Sequence, residues 1–264
     1  MSQPEQQQID SWIKMALDGL ARTEEDFKSG FYEEEEDISI QSVHVGTALL
    51  YAILARARFL NGDPIAEVRT EFATAARYIL KSFTMAYDEK DPDYQGEKAD
   101  WVEVGETIAL DGFNFALMAA DFTLTEELAG WFRDPPDGVC MDIEVNRYAH
   151  ALKHALLGGW RQARELLTTQ RDTYLGRPSK RNDYRKNYYT MSIALLGIVN
   201  RDAALFNKGL QMQLEFYQGD AQGELKDTDE EFICDYAVAL ANLGLRHGLT
   251  VTVEHDTLPQ GLMI

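Results

Sequence analysis

Cysteine is scarce in this chain of 264 residues: only Cys140 and Cys234 are present, and they lie far apart. Two distant thiols fit neither a disulfide framework nor a zinc site, and they favour buried thiols in a reducing compartment. The first residues lack the charged start and apolar block of a secretory signal. The longest apolar stretches, such as Thr47–Ala55, are too short to span a bilayer. We therefore expect a cytoplasmic protein that does not bind membranes.

Basic residues are also few. Lysine and arginine number 25 against 44 acidic residues, which gives a net charge of −19. Proteins that bind nucleic acid need basic side chains to neutralise phosphates, so we expect no nucleic-acid partner. Such a negative surface would attract a basic protein and speed its association. The acidity is equally consistent with a role in solubility alone.

The common motifs of catalysis are missing. The sequence contains no P-loop, no dinucleotide-binding glycine fingerprint, no Gly-x-Ser-x-Gly elbow and no His-Glu-x-x-His pair. These absences predict a protein that is not an enzyme and that needs no cofactor.

Two patterns with the chemistry of a metal site are incomplete. His150 and His154 are four positions apart on a predicted helix, which places both imidazoles on one face. Asp91–Gly96 resembles the first half of a calcium-binding loop, but the twelfth position, which should be acidic, is Val102. We interpret the first pattern as two ordinary helix histidines and the second as a solvated loop, and predict no metal site.

One segment, residues 177–189, mixes basic side chains with aromatic rings. Surfaces that bind single-stranded nucleic acid share this composition. Because the segment is short and the chain is strongly acidic, we expect it to pair with acidic segments instead. The pairing would lie within the molecule or across a homodimer.

Apolar residues recur at helical spacing along most of the chain, which predicts an all-α fold built from antiparallel helical hairpins. Asn61–Pro64 is a stop-and-restart signal, with Gly62 ending one helix, Asp63 capping the next and Pro64 in its first turn. Alternating β-branched residues in Leu249–Val253 predict one short extended segment. The predicted helices are Ile9–Leu20, Ile38–Leu60, Pro64–Tyr87, Trp101–Ala120, Thr125–Phe132, Asp142–Leu157, Trp160–Tyr174, Tyr184–Val199, Ala203–Tyr217 and Asp229–His247.

The strongest break in the sequence is Asp134–Gly138, with two prolines and a glycine. It predicts an N-terminal helical half, residues 1–133, and a C-terminal helical half, residues 139–264, packed as one compact or bilobed domain. The turns between the predicted hairpins show no 34-residue period, so we do not predict a tetratricopeptide solenoid.

Acidic residues form three clusters: Glu33–Asp37, Asp88–Asp93 and Asp227–Glu231. A single acidic run is usually a solvated surface. Three runs, each beside a predicted loop or helix start, favour an electrostatic docking surface for a protein partner.

Two C-terminal regions carry a family resemblance. One is the helix pair from Tyr188 to Tyr217, and the other is Tyr236–Ile264, which contains Leu243-Gly-Leu-Arg-His-Gly-Leu249 and Leu258-Pro259. This pattern resembles bacterial polymorphic-toxin immunity proteins, most closely the immunity protein family numbered forty-nine. The resemblance implies a cytoplasmic antitoxin that binds its cognate toxin, often a nuclease or deaminase, and blocks it without catalysis.

If that function holds, the acidic clusters would contact the basic groups of the toxin. A tetratricopeptide-like adaptor that binds a peptide or protein partner is the alternative function. The candidate toxin-binding residues are Glu33, Glu34, Glu35, Glu36, Asp37, Asp88, Asp91, Asp93, Asp227, Asp229, Glu230 and Glu231.

Overall fold

The computed structural model describes residues 4–34, 38–134, 140, 142–176 and 184–264, with the backbone alone for Glu33 and Glu34. The regular structure of these residues is helical, with no strand among them, which confirms the all-α prediction. They divide into two compact units, an N-terminal unit within residues 2–139 and a C-terminal unit within residues 140–264. The predicted break at Asp134–Gly138 lies outside the described residues except for Asp134.

The N-terminal unit is organised around α4, which packs against α3, α5 and α6, while α1 packs on α3. Short 3-10 turns at Gly96–Lys98 and Val102–Val104 connect α4 to α5. The helices are α1 (Gln6–Ser29), α2 (Phe31–Glu34), α3 (Ile40–Asn61), α4 (Ile65–Tyr87), α5 (Glu106–Met118) and α6 (Phe122–Trp131). The predicted start of α5 at Trp101 is wrong, because the extended backbone of Gly105 separates the 3-10 turn from the helix.

Helix α1 is longer than its predicted span and buries the expected face through Ile9, Trp12 and Ala16. Leu17, an apolar residue within the predicted span Ile9–Leu20, is 44% exposed. The helix ends where Gly30 adopts a left-handed conformation, with φ of 76°, and donates its N–H to the carbonyls of Asp26 and Phe27. Only glycine reaches this conformation without steric cost.

The predicted turn between α3 and α4 is present. Gly62 takes the left-handed position, with φ of 81°, and α4 starts directly after Pro64. The prediction that Asp63 caps α4 is wrong. Pro64 occupies the capping position, and the Asp63 carboxylate instead accepts a hydrogen bond of 2.7 Å from the side chain of Asn61.

By length and composition, α3 alone among the described helices is long and apolar enough to cross a membrane. The sequence expectation rested on the shorter stretch Thr47–Ala55, so it missed this property. In the structure α3 packs against both α1 and α4. Its Arg56 is buried, and its Arg58 forms an ion pair of 2.9 Å with Glu71 of α4. These contacts are typical of a core helix.

The C-terminal unit is organised around α9, which is buried from Thr190 to Val199 and contacts α7, α8, α10 and α11. The α7–α8 and α9–α10 hairpins correspond to the predicted helix pairs Asp142–Leu157 with Trp160–Tyr174 and Tyr184–Val199 with Ala203–Tyr217. The helices are α7 (Ile143–Leu156), α8 (Trp160–Leu175), α9 (Arg185–Asn200), α10 (Ala203–Ala221) and α11 (Asp235–Arg246), with 3-10 turns at Asp229–Phe232 and Gln260–Leu262. Residues 177–183 of the basic segment lie outside the described residues.

One prediction for the C-terminal end is wrong. The helix predicted over Asp229–His247 is interrupted after Phe232, because the N–H of Cys234 donates to the Thr257 carbonyl at 2.9 Å and leaves helical geometry. The predicted extended segment, Leu249–Val253, lies outside the helices and pairs in no strand among the described residues. The side chain of Asn207 binds this segment, donating to the Thr250 carbonyl at 2.8 Å and accepting from the Thr252 N–H at 2.7 Å.

Candidate functional site

The negative charge of the chain is concentrated in the N-terminal unit. Residues 2–139 contain 28 acidic and 11 basic side chains, a net charge of −17. Residues 140–264 contain 16 acidic and 14 basic side chains, a net charge of −2. Any long-range attraction of a basic partner therefore originates in the N-terminal unit.

An open cavity of about 390 Å³ lies in this unit, where α1, α2, α3, α4 and the following loop meet. Aromatic and apolar side chains make up much of its wall, and one lysine and one aspartate line it as well. We call it the aromatic cavity. Its lining residues are Phe27, Gly30, Tyr32, Ile40, His44, Lys81, Met85, Asp93 and Gln95.

A continuous row of five rings passes the aromatic cavity. Tyr32 meets Phe27 edge-on, with ring centroids 4.9 Å apart, and Phe27 stacks on His44 at 5.8 Å. His44 then contacts Tyr78 at 5.7 Å, and Tyr78 stacks on Tyr51 at 5.6 Å. Aromatic pairs at these distances stabilise one another beyond the apolar area that they bury. The row ties α1, α2, α3 and α4 together at the cavity.

The left-handed Gly30 produces this arrangement, because it turns the chain between α1 and α2 so that the Tyr32 ring returns to Phe27. Phe27 and Phe31 are each 40% exposed, and Tyr94 in the loop after α4 is 41% exposed. Phe27 lines the cavity, and Phe31 contacts the cavity residue Tyr32, with ring centroids 5.5 Å apart. Exposed aromatic rings beside a concave site are typical of a protein-binding surface.

Lys81 holds the loop after α4 in place. Its ammonium group binds the carboxylate of Asp91 and lies 2.7 Å from that of Asp93. Asp91, whose side chain is only 8% exposed, also accepts hydrogen bonds from Thr84 Oγ1 at 2.6 Å and from the Asp93 N–H at 2.9 Å. Burial alone would raise the pKa of Asp91, but the hydrogen bonds from Lys81 and Thr84 outweigh it and lower that pKa.

His44 is the titratable group at the centre of the ring row. Burial, followed by the nearby positive charge of Lys81, lowers the pKa of its imidazole below 6.5. Its Nδ1 atom is buried and has no hydrogen-bond partner among the residues that the structure describes. The imidazole is therefore neutral at pH 7 and contributes to the cavity as an aromatic ring rather than as a cation.

Of the three predicted acidic clusters, the structure brings Asp88–Asp93 to the aromatic cavity. Asp93 lines it directly. Glu33 and Glu34 follow Tyr32 in α2, and Glu35, Glu36 and Asp37 lie outside the described residues, in the segment between two cavity residues, Tyr32 and Ile40. Asp88 is half-buried, and its carboxylate accepts the N–H of Lys90 at 2.9 Å.

The third cluster belongs to the C-terminal unit and is mostly engaged in local structure. Asp229 is only 6% exposed, so the structure places this candidate contact in the interior. Glu231 accepts the N–H of Asp227 at 2.7 Å, and the carbonyl of Glu230 accepts the hydroxyl of Tyr217. Of the predicted residues in this cluster, only Asp227 is well exposed.

The two incomplete metal patterns gain no further ligands among the described residues. There, no group of three or more histidine, cysteine or acidic side chains is placed to hold a metal ion. Burial, and then the neighbouring His150 and Lys153, lowers the pKa of His154. Asp91, which opens the calcium-like loop, directs its carboxylate to Lys81.

Sequence reasoning missed the aromatic cavity because its rings come from distant positions. Phe27, His44 and Tyr78 belong to three helices, and each also fits an ordinary apolar helix face. The one local signal in the sequence is that Phe27 and Phe31 lie four positions apart beside an acidic run. No family model, no curated protein and no solved structure matches the chain.

Proposed function

We propose that this protein is an immunity protein that neutralises a cognate bacterial toxin, such as a nuclease, by direct and non-catalytic binding. The observation that carries the proposal is the net charge of −17 on the N-terminal unit, together with a cavity in that unit lined by the rings of Phe27, Tyr32 and His44. The C-terminal pattern described above is similar to that of immunity proteins and supports the same function.

The aromatic cavity offers two complementary contacts to a basic side chain. Phe27 and Tyr32 present ring surfaces that attract a cation, and Asp93 provides a carboxylate that is 57% exposed. Lysine or arginine side chains of the toxin would enter here, and the residues of Glu33–Asp37 would contact basic groups around them. Because a nuclease binds its substrate through basic residues, an acidic protein surface at that position excludes the nucleic acid.

The experiment is a binding and inhibition assay with the toxin domain encoded beside the gene for this chain. We expect a tight one-to-one complex that abolishes toxin activity, with an association rate that falls steeply as salt rises. Reversing charge with Asp93→Lys, or across Glu33–Asp37, should slow association by about tenfold or more at low salt.

Asp227→Lys is the matched control, since it reverses an exposed carboxylate in the C-terminal unit. It should change the association rate much less. A toxin that is neither bound nor inhibited would refute the function. If inhibition depends on Asp227 and not on Asp93, the proposed function stands, but the toxin contacts the C-terminal unit.

The second candidate is a tetratricopeptide-like adaptor. It is favoured by one observation: the consecutive hairpins α7–α8 and α9–α10 pack side by side through α8 and α9, as hairpins do in helical repeat proteins. An adaptor would bind an extended peptide in a groove. Binding of unstructured peptides that persists at high salt, without inhibition of the toxin, would select this function over the first.

A further inference from the structure

A second open cleft lies in the C-terminal unit, where the start of α8, the α9–α10 turn and the residue after α11 meet. Its volume is about 290 Å³, which suits a small molecule. We call it the basic cleft. Its lining residues are Trp160, Arg164, Ile198, Val199, Asn200, Arg201 and His247.

Two arginines give the basic cleft its charge. Arg164 donates through Nε to the side-chain oxygen of Asn200 at 2.7 Å, which orients the guanidinium and leaves its terminal nitrogens for other acceptors. Arg201 is exposed on the α9–α10 turn. In the described part of the chain neither arginine forms an ion pair. The nearby Asp202 uses its carboxylate to cap α10, accepting the N–H of Leu205 at 2.9 Å.

The backbone of Arg201 is held in an unfavourable conformation. Its φ is 55°, in the left-handed region that glycine or asparagine normally occupies at the end of a helix. Left-handed residues with a side chain store strain, and such strain concentrates at binding sites. A glycine would close the same turn without strain, and it would remove a guanidinium from the cleft.

The start of α8 adds a positive electrostatic potential that would attract an anion. The capping residue of this sixteen-residue helix, Gly159, provides no side-chain hydrogen bond, and the first turn contains no acidic residue. The positive end of the helix dipole is therefore not neutralised by the helix itself. Trp160 and Arg164 place the basic cleft beside that end.

The remaining wall is aromatic and apolar. Trp160 and His247 meet edge to face with ring centroids 4.9 Å apart, and Ile198 and Val199 contribute apolar surface. Burial, followed by the charges of Arg246 and Arg201, lowers the pKa of His247. The imidazole is neutral at pH 7, so the charge of the lining residues comes from Arg164 and Arg201. Two positive charges match the dianion of a phosphate monoester better than they match the single charge of a carboxylate.

We propose that the basic cleft binds the phosphate group of a small phosphorylated molecule. Arg164 and Arg201 donate to the phosphate oxygens, and Trp160 contacts the organic part of the ligand. This site lies in the C-terminal unit and is independent of the acidic surface proposed for toxin binding.

The test is titration calorimetry of the full chain with inorganic phosphate, adenosine monophosphate and the dicarboxylate succinate. We expect saturable binding of phosphate, tighter binding of the nucleotide because of the contact with Trp160, and the weakest binding of succinate. The nucleotide should also change tryptophan fluorescence. Arg164→Gln and Arg201→Gly should each weaken nucleotide binding by about tenfold or more.

Two features of the variants separate binding from folding. Arg201→Gly relieves the left-handed strain, so it should raise the thermal midpoint while it weakens binding. Arg161→Gln is the matched control, because Arg161 lies on the same helix, pairs with Glu165 at 3.9 Å and does not line the cleft. The Arg161→Gln variant should bind adenosine monophosphate with the affinity of the wild type. Absence of saturable binding, tighter binding of succinate than of phosphate, or unchanged affinity in Arg201→Gly would overturn the proposal.

Discussion

Gly209 of α10 lies directly against the backbone of Ala194 in α9: a Cβ atom built on Gly209 would come within 2.1 Å of the Ala194 nitrogen. The same hairpin has a second close approach, where a Cβ on Gly197 would lie 2.3 Å from the nitrogen of Phe206. Both distances are far shorter than any ordinary contact. The two helices therefore touch backbone to backbone, and the absence of a side chain at these glycines permits the core of the C-terminal unit to close.

Gly209→Ala should destabilise the C-terminal unit by about 3 kcal/mol, since the added methyl group meets rigid backbone and forces α9 and α10 apart. Denaturant unfolding of the purified variant measures this loss. Gly219→Ala is the matched control in the same helix, because a Cβ there meets no atom within 4 Å. It should be neutral or stabilising by up to about 1 kcal/mol, as expected for alanine in a helix. Equal losses of stability in Gly209→Ala and Gly219→Ala would contradict the close approach of Gly209 to the backbone of α9.

Asp91→Asn should destabilise the N-terminal unit by about 1–2 kcal/mol at neutral pH, because it removes a nearly buried charge that binds Lys81 and Thr84. The folded pKa of Asp91 is lowered from 3.8, so this contribution is present above that value and is lost as the pH falls through the folded pKa. The difference in unfolding free energy between Asp91→Asn and the wild type should therefore become smaller at acidic pH. Asp93→Asn removes an exposed partner of the same lysine and should cost under about 1 kcal/mol.

His44→Phe should reduce the loss of stability that accompanies mild acidification. The folded pKa of His44 lies below its ordinary value of 6.5, so its contribution is present above that value and declines as the pH drops below it. Phenylalanine keeps the stacking on Phe27 and Tyr78 and does not titrate. Unfolding free energies measured at about pH 7.5 and about pH 5.5 check this. If His44→Phe loses as much stability on acidification as the wild type does, titration of His44 does not contribute to the pH dependence of stability.

Thiol reagents should distinguish the two cysteines. Burial raises the pKa of Cys234 to about 12, whereas Cys140 is only half-buried. Because the thiolate is the reactive form, the native protein should expose one reactive thiol near about pH 8 and the denatured protein two. A Cys140→Ser variant should lose the native reaction. Two thiols reacting at one rate in the native protein would be inconsistent with the burial of Cys234.

The helices could be predicted from the sequence because their signals are local. Asn61–Pro64 contains a glycine and a proline at the positions where a turn requires them, and Gly62 adopts the predicted conformation. The three-and-four spacing of Ile9, Trp12 and Ala16 likewise identified the buried face of α1. These features depend on residues within a few positions of one another.

Other features could not be predicted because a distant partner decides the structure. The helix predicted from Asp229 breaks because Cys234 binds the carbonyl of Thr257, and no local residue signals that hydrogen bond. Asp229 has the sequence character of a surface acid, but the packing of the C-terminal unit buries it. The aromatic cavity and the basic cleft were missed for the same reason, because each combines residues from several helices.

The charge of the N-terminal unit also bears on its own stability. Seventeen uncompensated negative charges repel one another within one compact body, so folding of this unit proceeds against an electrostatic cost that salt reduces. A basic partner that neutralises part of this charge would bind the folded form in preference to the unfolded chain. By thermodynamic linkage, it would stabilise the unit that it occupies. An antitoxin of this kind would last longest in the cell when its toxin is present.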